Sequence, residues 1–281
     1  MDLAKPVSTD NRLSQTDTLI QNAHSLLAAG EREAAMAECR RALALEPDLL
    51  EAHVCLARAK LPGDDFLAHL RRFHELLRPA VYLEIGVDAG RTLCLARPPT
   101  LAIGVDPAAP AGGAFEAETR LVALESDAFF ASGRAETELA GRAVDLAFVD
   151  GLHHFEQALR DLANVERRAG AGAVVLLHDC LPLDAATASR VRRTGFWSGD
   201  VWKILPILAE HRPDLDVFVI PAYPTGLAVV TRLNPGSRVL DSRAAVIAAQ
   251  WRDREWSDAG ANPDLPMIAN DWTEVRRRLG R

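Results

Sequence analysis

Past Pro79 the chain changes period, and this change constrains the fold more than any other feature. Seven short apolar runs follow: Val81–Ile85, Leu101–Val105, Leu121–Leu124, Val144–Val149, Ala173–Leu177, Val217–Ile220 and Leu227–Val230. They alternate with segments of helical spacing, and several are bounded by Gly, Asp or Pro. Continuous apolar runs of this length read as strands buried on both faces. Strands alternating with helices imply a mainly parallel sheet, because each parallel neighbour needs a covering crossover. The last two runs are joined only through Ala-Tyr-Pro-Thr. That link suits a hairpin, so the expected α/β sheet of seven strands ends in an antiparallel pair.

Upstream, the chain reads as helix to about residue 75. Apolar positions recur at helical spacing at Leu19, Ala23, Leu26 and Leu27, then at Ala34, Ala35, Ala42 and Leu45. Gly30 separates the two runs and Pro47 ends the second. Leu50 to Lys60 is a further amphipathic run, Pro62-Gly63 breaks it, and Asp65 begins another helix. Ala23, Leu26, Gly30, Ala35, Ala42 and Pro47 resemble one tetratricopeptide unit of about 34 residues. Stacked arrays need about three such units. A single one reads either as a hairpin packed on the next domain or as a surface for a protein partner or a second copy of the chain. The expected division is 1–78 helical, 79–233 α/β, and 234–281 a tryptophan-rich helical tail.

Composition excludes several classes. The 32 basic against 39 acidic residues give a net charge of -7, which is not the footprint of a nucleic-acid binder. Apolar runs stay well short of about 18 residues, so no membrane span is expected. The first residues carry no apolar stretch of the kind an export signal needs. Cys39, Cys55, Cys94 and Cys180 form no C-x-x-C pair, so reduced thiols in a cytoplasmic protein are expected rather than a zinc ribbon.

The first strand runs into Glu84-Ile-Gly86-Val-Asp-Ala-Gly90. Glycine permits a tight turn and close approach of a ligand to the backbone. The second strand ends at Gly104-Val105-Asp106, where a carboxylate can accept hydrogen bonds from a ribose diol. The same glycines would also serve packing of a strand on the helix expected after them. The spacing E-x-G-x-x-x-G, followed by the distal acid, resembles motif I of class I S-adenosylmethionine (SAM) methyltransferases, which have a Rossmann-like fold. The resemblance implies that Glu84, Gly86 and Gly90 line the methionine side of SAM and that Asp106 holds the ribose. It also implies that Ser126 and Asp127, after the third strand, meet the adenine.

Two further acids stand at strand ends. Asp150 begins Asp150-Gly-Leu-His153-His154-Phe-Glu156, and Asp179 follows His178. Neighbouring carboxylates are costly unless paired or bound to a cation such as Mg2+. Read from the residues alone, Asp150 could instead cap the next helix, and His178 could simply hydrogen-bond at the sheet edge. The motif resembles the type 24 branch of the SAM methyltransferases, which includes metal-dependent O-methyltransferases of sugars and small molecules. That resemblance implies Asp150 and Asp179 as metal ligands and His153 as general base beside Asp150. Cys180 departs from metal-dependent relatives, which carry Asp or Asn there.

All five tryptophans lie late: Trp197, Trp202, Trp251, Trp256 and Trp272. Trp197 and Trp202 flank a glycine-containing loop placed either to close over an acceptor or to anchor the core. The expectation is a SAM-dependent enzyme that methylates a small-molecule or sugar hydroxyl. Its rivals are a non-catalytic scaffold that docks partners through the helices, and a different reaction on the same fold, since the type 24 branch includes relatives named as hydroxylases.

Overall fold

The computed structural model describes residues 9–110, 112–257 and 267–281. The N-terminal residues that argue against an export signal lie partly outside this range, as does the middle of the tail. Among the described residues no helix is long and apolar enough to cross a membrane.

Helices α1 (Thr9–Ala28), α2 (Arg32–Leu45) and α3 (Leu50–Lys60) come first, broken at Gly30 and Pro47. Gly30 has a φ of 82°, the left-handed conformation that ends a helix cheaply in glycine. The three helices share an apolar seam of Ala23, Met36, Cys39, Cys55 and Leu56. Helix α4 (Phe66–Leu77) starts where Asp65 accepts a hydrogen bond from the Ala68 N–H at 2.7 Å.

Seven strands follow: β1 (Val81–Ile85), β2 (Leu101–Val105), β3 (Glu118–Val122), β4 (Val144–Val149), β5 (Ala169–His178), β6 (Asp216–Ile220) and β7 (Leu227–Thr231). They form one sheet in the order β3-β2-β1-β4-β5-β7-β6. The pairs among β1 to β5 are parallel, and β7 runs antiparallel to both β5 and β6. The expected mixed sheet with a terminal hairpin is therefore present.

Three local expectations change. Strand β3 lies at 118–122 rather than 121–124. It is an edge strand, so Glu118, Thr119 and Arg120 pair with β2 without forming an apolar run. Strand β5 begins four residues before its apolar run, through the small residues of Ala-Gly-Ala-Gly. The glycine loop leads into a three-residue 3-10 turn, Leu93–Leu95, not a full helix. Pro98-Pro99 closes this segment before β2 and leaves too few residues for several α turns.

Between the strands lie α5 (Ser126–Ala131), α6 (Arg134–Leu139), α7 (Phe155–Glu166) and α8 (Ile204–His211); α9 (Val239–Trp251) and α10 (Trp272–Arg278) complete the chain. One face of the sheet packs on α5, α7, α8 and α9 through Phe129, Leu162, Ile204 and Ile247. The other face is covered by Leu70 and Phe73 of α4 together with Val275 and Trp272 of α10. Strand β1 lies between β2 and β4. The connections leave it in opposite directions, which opens a crevice beyond the carboxyl ends of these strands.

Candidate active site

That crevice holds a cavity of about 580 Å3, with Gly86, Asp106, Ser126, Asp127, Asp150 and His153 among its lining residues. Gly86 is required by geometry. Its φ is 87°, and a Cβ there would lie 2.0 Å from the carbonyl oxygen of Asp150. The loops after β1 and β4 can touch only because this side chain is missing. The Gly86 N–H bonds to the Val105 carbonyl, and the Asp150 N–H bonds to the Ile85 carbonyl at 2.8 Å.

Asp106 is fixed by the loop it faces. Its Oδ2 accepts from the Val87 and Asp88 N–H groups at 2.9 and 3.2 Å, and its Oδ1 from Ala108 N–H at 2.7 Å. Each carboxylate oxygen has more than one lone pair, so a diol can still be received. Ser126 and Asp127 open α5. Gln157 of α7 donates to both, at 2.9 and 3.0 Å, and also lines the cavity.

Glu84 and Gly90 lie away from the lining. Glu84 is wholly buried beneath the loop, where it accepts from the hydroxyls of Tyr82 at 2.5 Å and Thr92 at 2.7 Å. Burial pushes its carboxyl up to about 8. It reaches the cavity only through Thr92, which does line it. Gly90 has a φ of 78° and sits against Phe115.

The second half of the site gathers Asp150, His153 and Asp179, whose ligand atoms all lie within 4.8 Å of one another. His153 Nδ1 is 3.0 Å from the Trp197 carbonyl. A carbonyl only accepts, so Nδ1 carries the proton and Nε2 turns toward the acids. Nε2 lies 3.1 Å from Asp179 Oδ2 and 3.9 Å from Asp150 Oδ1. The Trp197 indole stacks on the imidazole at 5.0 Å. Gly199 lets the backbone close in, since a Cβ there would meet the His153 carbonyl at 1.9 Å.

Asp179 has a φ of 59° and is buried. Burial would raise its carboxyl, but His153 and His178 outweigh that and hold it near 2. Thr225 donates to its Oδ1 at 2.7 Å. Its Oδ2 is buried with no hydrogen bond, although His153 Nε2 is close by. An unbonded, buried carboxylate oxygen of this kind calls for a donor or a cation beside it. His178 does more than close the sheet edge. Its Nδ1 stands 3.2 Å from Asp150 Oδ1 and 3.6 Å from Asp179 Oδ1. Burial alone would lower its pKa, yet the two acids raise it to about 10. Burial and Asp179 push the Cys180 thiol up.

Asp150 does not cap α7. The Phe155 N–H bonds at 2.9 Å to Asp200 Oδ1, a residue brought in from the far end of the following loop. Sequence reasoning missed Asp200. It also missed Phe66 and Leu67, which bring α4 into the cavity wall, and Gln157. Gln157 and Asp161 stand four apart, one face of a helix, and this was the available signal for the α5 contact.

Residues 83–180 match the profile of the type 24 methyltransferase family, described as a methyltransferase domain. The matched stretch runs from beside Glu84 to Cys180 and contains every residue of both half-sites assigned from the motifs. The chain therefore carries a methyltransferase domain over these residues. Among solved structures it is similar to Rv0187 from MTB, solved with cofactor bound, at 19% identity, covering 67% of this chain and 91% of that one, with a TM-score of 0.46. It is also similar to the O-methyltransferase of Bacillus cereus in complex with SAH, at 13% identity, 63% and 86% coverage and a TM-score of 0.43. A third is TomG of Streptomyces achromogenes, an O-methyltransferase involved in tomaymycin synthesis and solved with SAM, at 17% identity, 72% and 89% coverage and a TM-score of 0.43. No curated protein matches the chain in sequence.

Proposed function

We propose that this enzyme methylates a hydroxyl of a small molecule, a sugar among the candidates, and that His153 takes the hydroxyl proton. The observation that carries this reading is His153 Nε2 beside the cavity, 3.1 Å from the buried Asp179 Oδ2. The acceptor oxygen attacks the methyl carbon, the S–CH3 bond breaks, and sulfur keeps the electron pair as S-adenosylhomocysteine (SAH) forms. The proton moves from the oxygen to Nε2. The Trp197 carbonyl on Nδ1 orients the ring, and Asp179 beside Nε2 then stabilises the imidazolium. On the cofactor side, Gly86 leaves room for the methionine part, Asp106 holds the ribose, and Ser126 and Asp127 meet the adenine. Glu84 and Gly90 shape the loop from behind.

The donor set fits a divalent cation, with Asp150 and Asp179 supplying oxygens and the unbonded Asp179 Oδ2 facing inward. When bound, such an ion, Mg2+ in our reading, would lower the pKa of the acceptor hydroxyl. An imidazole ligand suits ions such as Zn2+ or Fe2+ better than Mg2+, so His153 serves here as base rather than ligand. Four unpaired cysteines, three of them buried, support a reducing, cytoplasmic setting.

The test is SAH release from SAM over a panel of phenolic and sugar hydroxyls. His153→Ala should lower turnover by about 100-fold or more while leaving SAH affinity intact. Wild-type turnover in that variant removes the base. Full activity after chelation removes the metal but not the base.

A further inference from the structure

From Asp179 to Asp200 the chain forms neither helix nor strand. A loop of this length inside a folded domain needs outside support to hold one conformation. It carries Trp197, whose carbonyl and indole together orient His153. Besides bonds such as that from Trp197 Nε1 to the Ser189 carbonyl at 2.6 Å within the loop, support comes from the N-terminal helices. Asp48, in the turn between α2 and α3, accepts a hydrogen bond through Oδ1 from the Gly195 N–H. His53 of α3 stacks on Phe196 with centroids 5.7 Å apart and planes 13° from parallel. The start of the loop is gripped by Lys60, whose Nζ donates to the carbonyls of Pro182 and Leu183 at 3.2 and 2.9 Å. Leu183 completes the apolar seam of the three helices, and Phe196 packs against it.

We propose that the turn between α2 and α3 is a positioning device for the proton acceptor. Asp48 and His53 fix Gly195 and Phe196, and through them the Trp197 groups that aim His153. The proposal rests on reading His153 as that acceptor. It accounts for a single tetratricopeptide-like unit where stacked arrays need several. The turn at Pro47-Asp48 holds a loop of its own chain, and Leu183 of that loop fills the seam between the helices. Backbone placement passes along a chain in steps of about 3.5 Å per residue, and Gly195 stands only two residues from Trp197. A displacement of about 1 Å at a reacting group can cost about 100-fold in rate.

The test uses the full chain with Asp48→Ala and Asp48→Asn, the second keeping an oxygen acceptor for the Gly195 N–H. D48A should lower kcat by about tenfold or more, with KM for SAM and SAH affinity unchanged, and D48N should restore it. In a His153→Ala background D48A should have no further effect on kcat, because a positioning role vanishes with the group positioned. An equal loss in both backgrounds, or a matching loss of SAH affinity, overturns the proposal. A readout independent of turnover is the His153 Nδ1 proton. Bonded to the Trp197 carbonyl, it should give an exchange-protected imidazole N–H signal, lost in D48A and kept in D48N. A signal unchanged in D48A overturns the proposal. If wild type methylates no hydroxyl, the functional reading fails while this signal still decides the coupling of turn to ring.

Discussion

The two halves of the site, one proposed for the cofactor and one for the methyl acceptor, are built in different ways. The cofactor half comes from one stretch, Gly86 to Asp127, whose strand ends and turns lie next to one another in sequence. The acceptor half is assembled from α4, the ends of β4 and β5, the long loop and Thr225, which are far apart in the chain. The first half is held by backbone: glycine conformations, and N–H groups that grip Asp106. The second is held by side chains, among them Trp197 on His153 and Asp200 at the start of α7. Backbone-built sites tolerate little at their glycines but much around them. Side-chain-built sites fail through distant residues.

Gly86→Ala is the harshest way to examine that contrast. The added methyl would meet Asp150 backbone at 2.0 Å, at a φ of 87°. Neither loop can yield without parting the ends of β1 and β4, so a loss of several kcal/mol is expected, as for other overpacked and strained positions. Thermal denaturation with SAH calorimetry should show a sharply lower Tm and no measurable binding. A variant that binds SAH like wild type would mean that the two loops need not touch. Asp200→Ala probes the other half. It removes the cap of α7 and leaves Lys203, only 2% exposed, without its carboxylate partner at 3.1 Å. An uncompensated buried charge costs about 3–5 kcal/mol, with about 1 kcal/mol more for the cap. Denaturant unfolding should show this loss. A change under about 1 kcal/mol would mean that the Arg252 carbonyl already suffices for Lys203.

The same contrast decides what could be read from sequence. Five of the seven strands kept nearly the expected bounds, because strands covered on both faces must be apolar throughout. Strand β3 shifted because this edge is little buried and asks only for pairing, which Glu118 and Arg120 supply as well as valine would. The other edge strand, β6, instead buries Phe218 to Ile220. The glycine loop and Asp106 were legible because their partners lie within one strand–turn–strand unit. Asp150, His153 and Asp179 were legible as strand-end residues, but their arrangement was not. Nothing local to Asp200 says that it will cap α7, and nothing local to Phe66 says that it will join the cavity wall. These roles follow from tertiary contacts alone.

Asp106→Ala should have a smaller effect than either, and one confined to binding. The N–H groups of Val87, Asp88 and Ala108 lose their acceptor but stand at a partly exposed surface, where water can replace it. SAH affinity should fall by about tenfold or more, equivalent to about 1.4 kcal/mol, with Tm of the unliganded enzyme little changed. Unchanged affinity would remove Asp106 from the ribose site and leave the loop alone as the cofactor cradle.

The mildest prediction concerns Glu84, which belongs to the cofactor half without reaching its wall. Its carboxyl rises from an ordinary 4.5 to about 8 in the fold, chiefly through burial. Between those values the folded protein keeps a proton that the unfolded chain releases. Stability must therefore decline as pH rises from about 4.5 to about 8 and level off beyond, with a slope of at most about 1.4 kcal/mol per pH unit from this group. Asp161, raised to about 6 mainly by burial, adds a decline of the same sign at lower pH. Comparison with Glu84→Gln isolates the first contribution, because the amide is isosteric, stays neutral and still offers Thr92 an acceptor. Unfolding free energies of the two proteins should diverge in favour of the variant across that window, while SAH affinity falls less than in Asp106→Ala. Parallel stability curves would mean that Glu84 ionises normally under the loop. The two hydroxyls of Tyr82 and Thr92 would then be solvating a charge, and the cofactor half would rest on an electrostatic anchor as the acceptor half does.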